Sequence, residues 1–395
     1  MALPLEGLRV IEMGQLIAGP MAGRMLAEFG ADVIKIEPPV QGDPLRKWRM
    51  LHNGTSVWWA AQSRNKRSIT LDLRQQEGQD IAMSLLSTAD VLIENFRPGT
   101  LKKWGMNWEL LHSRNSRLIM LSVSGYGQSG PYRDRPGFGV IGEAMGGLRH
   151  LSGEPGRTPV RVGVSIGDSL SALHGMIGVL LALRSRDGTG QGQQIDVALY
   201  ESVFNMMESL IPEYSVFNQI RQPAGSSLPG IAPTNAYRCS DGKYALIAGN
   251  GDSIFQLLMQ IIGRPDLAED ESLAHNDGRV KRVEVLDHAI SEWTGQRSLQ
   301  EVLASLHESG IPASKIYDAA DIAADPHYKA RDMLLPAELP DGTPVILPGI
   351  VPKLVTTPGS VRCPAPLLGQ HTEEVLTELG ISAEHRQRLK EKGIV

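Results

Sequence analysis

Along the first two hundred residues, short apolar runs alternate with stretches whose apolar positions recur at helical spacing. LRVIEM (Leu8 to Met13) is strand-like, Gly14 to Pro20 is a glycine-bounded loop, and Met21 to Phe29 has the period of a helix, with Gly30 as its left-handed end. ADVIKIE supplies a second strand ending at Glu37, and a strand–helix–strand unit of this kind closes parallel and right-handed. The alternation continues with a strand at Arg67 to Leu73, a helix at Gln75 to Thr88, and strands at Asp90 to Glu94 and Leu118 to Ser124. The pattern predicts a doubly wound α/β layer.

Past residue 200 the pattern changes. From Gln222 to Asn235 the chain packs proline, glycine and serine into a surface loop, a candidate domain junction. AYRCSDGKYALIAG then predicts a strand pair turning at Asp241-Gly242, followed by a run of helices to about residue 320, which together make a smaller α+β domain. A turn at Asp341 and an amphipathic helix pair from Thr372 complete the chain.

The length of 395 residues suits two or three domains of about 150 residues. A net charge of -5 argues against a general nucleic-acid binder. Two cysteines, Cys239 and Cys363, are too few for a disulfide framework or a cysteine zinc site, and they suit a reducing compartment. The most apolar stretch, Ala172 to Leu183, contains His174 and two glycines and is expected to be a buried helix, with His174 as a satisfied core side chain. MALPLEGLRVIEMG lacks a basic flank before an apolar stretch and KEKGIV matches no retention or lipidation signal, so the expectation is a cytoplasmic protein with no membrane partner.

Chemistry concentrates in VRVGVSIGDSLSALHG. Val160 to Ile166 is strand-like, Gly167 permits a sharp turn, and Asp168 stands where an N-cap belongs. A carboxylate there is either a structural cap or an accessible nucleophile whose neighbouring amides stabilise an oxyanion; the motif alone leaves both open. From Arg46 to Arg74 seven basic residues (Arg46, Lys47, Arg49, Arg64, Lys66, Arg67, Arg74) meet one acid, Asp72. This is either a solvated face or a site for a polyanionic small molecule such as coenzyme A, with Lys102 and Lys103 as further donors. GTGQGQ at Gly188 to Gln193 follows a helix and precedes a strand, the reverse of a phosphate-binding fingerprint, and reads as a turn. No HExxH is present and the histidines do not cluster at metal spacing, so no metal is expected.

Read together, EMGQLIAGPMAGRMLAEFGADVIKIE, GDPLR, NKRSITLDL, ADVLIENFRPG, SVSGYGQSGPY, VSIGDSLSALHG, GTGQGQQIDVALYES and APLLGQHTEEVLTELG resemble the class III coenzyme A transferases, the family of formyl-CoA and carnitine CoA-transferases, over nearly the whole chain. The resemblance implies a Rossmann-like large domain from residues 1–200 and 326–395, a linker and active-site loop at 201–235, and a small α+β domain at 236–325 inserted between them. It also implies an obligate, interlocked homodimer. Asp168 matches the catalytic aspartate, whose carboxylate forms mixed anhydrides and an aspartyl-CoA thioester. Positions matching the family's CoA contacts are Ile17, Ala18, Leu71, Arg74, Asn95, Phe96 and Lys103, with coenzyme A thioester as co-substrate and no prosthetic group. The chain departs from formyl-CoA transferase at Ile17 (glutamine there), at Pro38 (arginine there) and in AGSSLPG (a glycine run there), which speaks against oxalate chemistry.

The stretch from Pro136 to Gly175 is most similar to enzymes using succinyl-CoA as donor and itaconate, mesaconate, malate or citramalate as acceptor. Candidate substrate contacts are Arg46, Arg49, His150, Gly225, Ser226 and Ser227. Two alternatives stand beside this reading. One is an α-methylacyl-CoA racemase, whose GHD histidine and aspartate fall at Phe138 and Gly139 here; the other is a CoA-binding protein without activity.

Overall fold

The computed structural model describes residues 2–395, and its internal contacts divide the chain into two units. The first takes residues up to Arg149, Val162–Asn218 and His327–Val395; the second takes His150–Arg161 and Gln219–Pro326.

In the first unit the elements run β1 (Arg9–Glu12), α1 (Ala18–Glu28), β2 (Asp32–Glu37), β3 (Lys66–Thr70), α2 (Gln76–Leu86), β4 (Val91–Glu94), β5 (Ile119–Ser124), α3 (Gly139–Met145), α4 (Ile166–Thr189), β6 (Gln194–Ala198) and α5 (Leu210–Phe217). A hairpin of β7 (Leu334–Glu338) and β8 (Pro344–Pro348) and the helices α6 (Thr372–Glu378) and α7 (Ala383–Glu391) follow. Six strands form one parallel sheet in the order β3-β2-β1-β4-β5-β6. Alternate side chains feed two cores. Val10, Val33, Ile93 and Leu121 pack with Met25 and Leu26 of α1 and Ala172 and Val179 of α4. Ile11, Ile34, Ile69 and Leu92 pack with Leu85 of α2, Val375 of α6 and Leu389 of α7. Burial on both faces explains why these strands read as unbroken apolar runs.

Three local differences from the sequence pattern matter for the site. Helix α1 begins at Ala18, three residues earlier than its apolar period indicates, because Pro20 lies in the first turn, where a missing N–H costs no helical hydrogen bond. Val160 to Ile166 forms no strand: Val160, Val162 and Val164 are exposed, and β-branched residues extend into a sheet only where a neighbouring strand receives them. Helix α4 therefore starts at Ile166 after Ser165, which makes Asp168 its third residue rather than its cap. By length and composition α4 could cross a membrane. It is not the buried helix expected: one stripe (Ala172, Met176, Val179, Ala182) faces the sheet, while Ile177 and Leu181 are 53% and 66% exposed. His174 is half-buried, and its Nδ1 has no hydrogen-bond partner among the described residues, so it is not the satisfied core histidine expected.

The second unit carries a three-stranded antiparallel sheet in the order Ala313–Lys315, Tyr244–Ala248, Thr234–Arg238. Helices Asp252–Ile261, Val283–Gly295 and Leu299–Glu308 bury Phe255, Leu286 and Val302 against it. Gly242, at φ +79°, makes the turn between the two longer strands, a backbone region that glycine enters without a Cβ clash.

Candidate active site

Strand order reverses between β1 and β4, so the chains leaving these neighbours diverge and open a crevice at the carboxyl ends of the sheet. The Asn95 side chain bridges the two loops: its Oδ1 accepts from the Gln15 amide at 2.7 Å, and its Nδ2 donates to the Gln15 carbonyl at 2.8 Å. Between them lies a cavity of about 190 Å³ lined by Gln15 to Ala18, Asn95 to Pro98, Phe138 and Asp168. Asp168 is half-buried in the first turn of α4, where the positive end of a long helix favours an ionised carboxylate. A Cβ on Gly139, the first residue of α3, would stand 2.1 Å from Asp168 Oδ2. Any larger residue there would displace that carboxylate.

A second cavity of about 320 Å³ shares Gln15 and Phe96 with the first and extends past the ends of β2 and β3 to Leu71, Arg74 and Trp104. Arg74 is exposed and pairs with Asp72 (Nε to Oδ1 2.8 Å), a hydrogen bond that holds the Asp72 carboxyl down to about 2. Five of the candidate residues, Asp168, Ile17, Ala18, Asn95 and Phe96, thus line one cavity, while Leu71 and Arg74 line its neighbour. Lys103 is exposed beside Trp104 and lines neither.

The sequence profile of CoA-transferase family III matches residues 5–372. The chain belongs to that family. It is 45% identical over 394 residues (99% of this chain, 98% of the other) to the succinyl-CoA–D-citramalate CoA-transferase of Chloroflexus aurantiacus. It is 44% identical over 398 residues (100% of this chain, 98% of the other) to the β subunit of the succinyl-CoA–L-malate CoA-transferase of the same organism. A solved CAIB/BAIF family protein from Brucella suis superposes with a TM-score of 0.84 at 36% identity, covering 96% of this chain and all of that one. The protein is therefore an enzyme that transfers coenzyme A.

Within this CoA-transferase the basic stretch is neither a solvated face nor a polyanion site as a whole. Arg64 and Lys66 are fully buried: Arg64 grips Glu28 at 2.5 Å, and Lys66 Nζ lies 2.8 Å from Glu12. Burial pushes the Lys66 ammonium down to about 8 despite Glu12. Arg67 holds Asp32, Glu374 and Glu378, tying α6 to β2 and β3. Arg46 is not an available donor for a substrate carboxylate. Its Nε and Nη2 each donate to Glu37 at 2.8 Å, Nη1 donates to the Pro366 carbonyl, and the guanidinium lies over the Trp59 ring. Arg49 is exposed and stacks on Trp58.

His150, Gly225, Ser226 and Ser227 belong to the second unit. There His150 Nε2 meets the Arg221 carbonyl at 3.1 Å, Ser226 Oγ bonds to Asn235, and Ser227 Oγ donates to the Ala224 carbonyl. Gly225 adopts φ +63° and donates to the Gly153 carbonyl at 3.0 Å.

The Asp168 cavity also contains residues that sequence reasoning passed over. Gln15 lines both cavities, Arg97 and Arg135 add positive charge at exposed positions of the lining, and Gly139, behind it, leaves space for the Asp168 carboxylate. Arg97 stands in the quoted ENFRPG and Arg135 just past SGPY. Charge within those motifs was the available signal.

Proposed function

We propose that the enzyme moves coenzyme A from succinyl-CoA to a short dicarboxylic acid (itaconate, mesaconate, malate or citramalate) through covalent intermediates on Asp168. An Asp168 oxygen attacks the succinyl thioester carbonyl, the C–S bond breaks, and CoA leaves as thiolate. The thiolate attacks the aspartyl carbonyl of the resulting anhydride, releasing succinate and forming an aspartyl-CoA thioester. The acceptor carboxylate then attacks that carbonyl and expels the thiolate, which attacks the acceptor's acyl carbon in the second anhydride and restores the Asp168 carboxylate. Each step exchanges one C–O or C–S bond for another, and no net proton or redox change is needed.

The observation that supports this reading is the placement of Asp168 in a cavity at the strand ends that shares its Gln15 and Phe96 lining with a neighbouring cavity. Adjoining cavities suit an elongated thioester: the acyl end beside Asp168, the nucleotide end toward Leu71, Arg74 and Lys103. Arg135 and Arg97 are the cations we assign to the acceptor's distal carboxylate, in place of Arg46. Names of the relatives that act on citramalate and malate support a dicarboxylate acceptor. Racemisation needs a base on each face of an α-carbon, and Asp168 is the one carboxylate, with no histidine, among the described residues lining its cavity.

We also propose the interlocked homodimer, with a second copy covering the exposed apolar residues of α4 (Ile177, Leu181) and α5 (Ile211, Val216, Phe217), and a cytoplasmic location. The test of function is purified enzyme with succinyl-CoA and each acid in turn, read by mass spectrometry. A new CoA thioester matched by loss of succinyl-CoA is expected with a dicarboxylate. Absence of any new thioester across the panel contradicts the assignment.

A further inference from the structure

Residues Gln15 to Ala18 form one wall of the Asp168 cavity, and the backbone at Leu16 is in a conformation that its side chain does not favour. Leu16 has φ +64°, the left-handed region where a Cβ crowds the following carbonyl and where glycine or asparagine is the ordinary occupant. Something outside the loop must hold it. The Asp43 carboxylate accepts from the Leu16 amide through both oxygens (Oδ1 3.1 Å, Oδ2 3.2 Å) and from the Leu45 amide at 2.9 Å. Lys35 on β2 completes the grip: its Nζ donates to the Gly14 carbonyl at 2.7 Å and to Glu12 at 2.9 Å, and it lies 2.9 Å from Asp43 Oδ2. Glu37 accepts from the Asp43 amide at 2.9 Å, and Arg46 fixes Glu37.

Glu12, Lys35 and Asp43 are all at most 1% exposed. Burial works against ionising Asp43, but Lys35 and the amides of Leu45 and Leu16 outweigh it and keep the carboxyl below the ordinary aspartate value. A buried charged group of this kind is costly unless every partner is in place. Through Lys35 and Asp43 this network reaches the backbone of two loop residues, Gly14 and Leu16.

We propose that Asp43, held by Lys35, is a positioning residue: it fixes Leu16 in the left-handed conformation and so sets the Gln15 to Ala18 wall against which the thioester is presented to Asp168. The inference rests on the function proposed above and deepens it. It assigns to the aspartate of GDPLR a part in catalysis without contact to substrate. Misplacement of a bound reactant by about 1 Å costs on the order of a hundredfold in rate, so Asp43→Asn, which keeps the shape and loses the charge, slows formation of the Asp168–CoA adduct by that order while the dissociation constant for free CoA changes by less than about threefold.

The test is rapid-quench intact-mass analysis of the adduct with succinyl-CoA, with calorimetric CoA binding alongside. Because Asp43→Asn disturbs a buried network, a second pair leaves that network intact: Leu16→Val, whose β-branched side chain resists positive φ, and Leu16→Asn, which tolerates it. Leu16→Val is expected to form the adduct about tenfold more slowly than Leu16→Asn. Equal rates for the two, or a folded Asp43→Asn protein forming adduct at the wild-type rate, overturn the proposal. Failure of the wild-type enzyme to form any adduct with an acyl-CoA that it turns over overturns instead the covalent reading of Asp168.

Discussion

The cavity around Asp168 is walled by loops leaving the ends of β1, β4 and β5, and it holds the carboxylate in the first turn of a 24-residue helix. Its neighbour is walled by Ile36, Leu71, Leu73, Phe96 and Trp104 and carries the exposed Arg74, paired with the buried Asp72. In the first, polar atoms and backbone are fixed by partners outside the cavity. In the second, apolar surface surrounds a solvent-screened charge. We assign the two cavities different tasks: helix α4 and the strand-end loops place Asp168, the group proposed to react, while the wider cavity takes the part of the ligand that only has to be held.

The strongest way to break this comparison is to remove the reacting group. Asp168→Ala is expected to reduce transfer to background, with CoA binding retained and the melting temperature little changed, as read by the thioester exchange assay and calorimetry. Turnover at the wild-type level in that variant would erase the distinction between the cavities. Gly139→Ala comes next. Alanine is the better helix former, so stability holds or rises, but its Cβ displaces the Asp168 carboxylate; kcat is expected to fall on the order of a hundredfold. A variant with both intact activity and intact fold would mean that the clearance is not needed.

A smaller pair of effects separates the cavities by substrate. Arg135→Gln is expected to raise KM for the dicarboxylate about tenfold, the loss of one charge-assisted hydrogen bond, with KM for succinyl-CoA changing less. Arg74→Ala is expected to raise KM for the acyl-CoA about threefold and leave kcat alone, because its guanidinium is already committed to Asp72 and screened by solvent. The opposite pattern would exchange the roles assigned to the two arginines.

The last effect is on stability rather than on rate, and it concerns Phe96, which lines both cavities. Glu94 accepts from the amide of Phe96 at 2.9 Å, and burial raises its carboxyl from 4.5 to about 7. An acid whose pKa is raised on folding binds its proton more tightly in the folded state, so its contribution to stability is present below about pH 4.5 and is lost as pH rises through about 7. Glu94→Gln removes that slope. Urea denaturation at about pH 8 is expected to find the variant more stable than wild type by up to about 3 kcal/mol, and at about pH 5 to find them alike. A constant difference across that range would contradict the assignment.

Much of this architecture is legible in sequence, for identifiable reasons. The strands of the parallel sheet are buried on both faces, so β1, β2, β4 and β5 appear as bounded apolar runs within a residue or two of their observed ends. Asp168 is legible through its motif context; its local physics left cap and nucleophile open, and its true position, third in the helix, depends on a chain segment that looked like a strand. The basic stretch was opaque because the acids that neutralise it are distant in sequence. Glu12, Glu28 and Asp32 meet Lys66, Arg64 and Arg67 only once β1, α1 and β2 lie beside β3. The left-handed Leu16 was opaque for the same reason, since Asp43 lies 27 positions away and is brought to it only by folding.

The most direct test of the account follows one oxygen atom. In the sequence of steps proposed, the acceptor's attacking oxygen remains on the aspartyl carbonyl after the final thiolate attack. Enzyme turned over with succinyl-CoA and an acceptor labelled with oxygen-18 in its carboxylates is therefore expected to carry heavy oxygen in the peptide containing Asp168, and multiple turnovers should pass it on to the released succinate. Heavy oxygen in succinate with none in the Asp168 peptide would mean that acceptor and donor react directly, and would contradict a covalent role for Asp168.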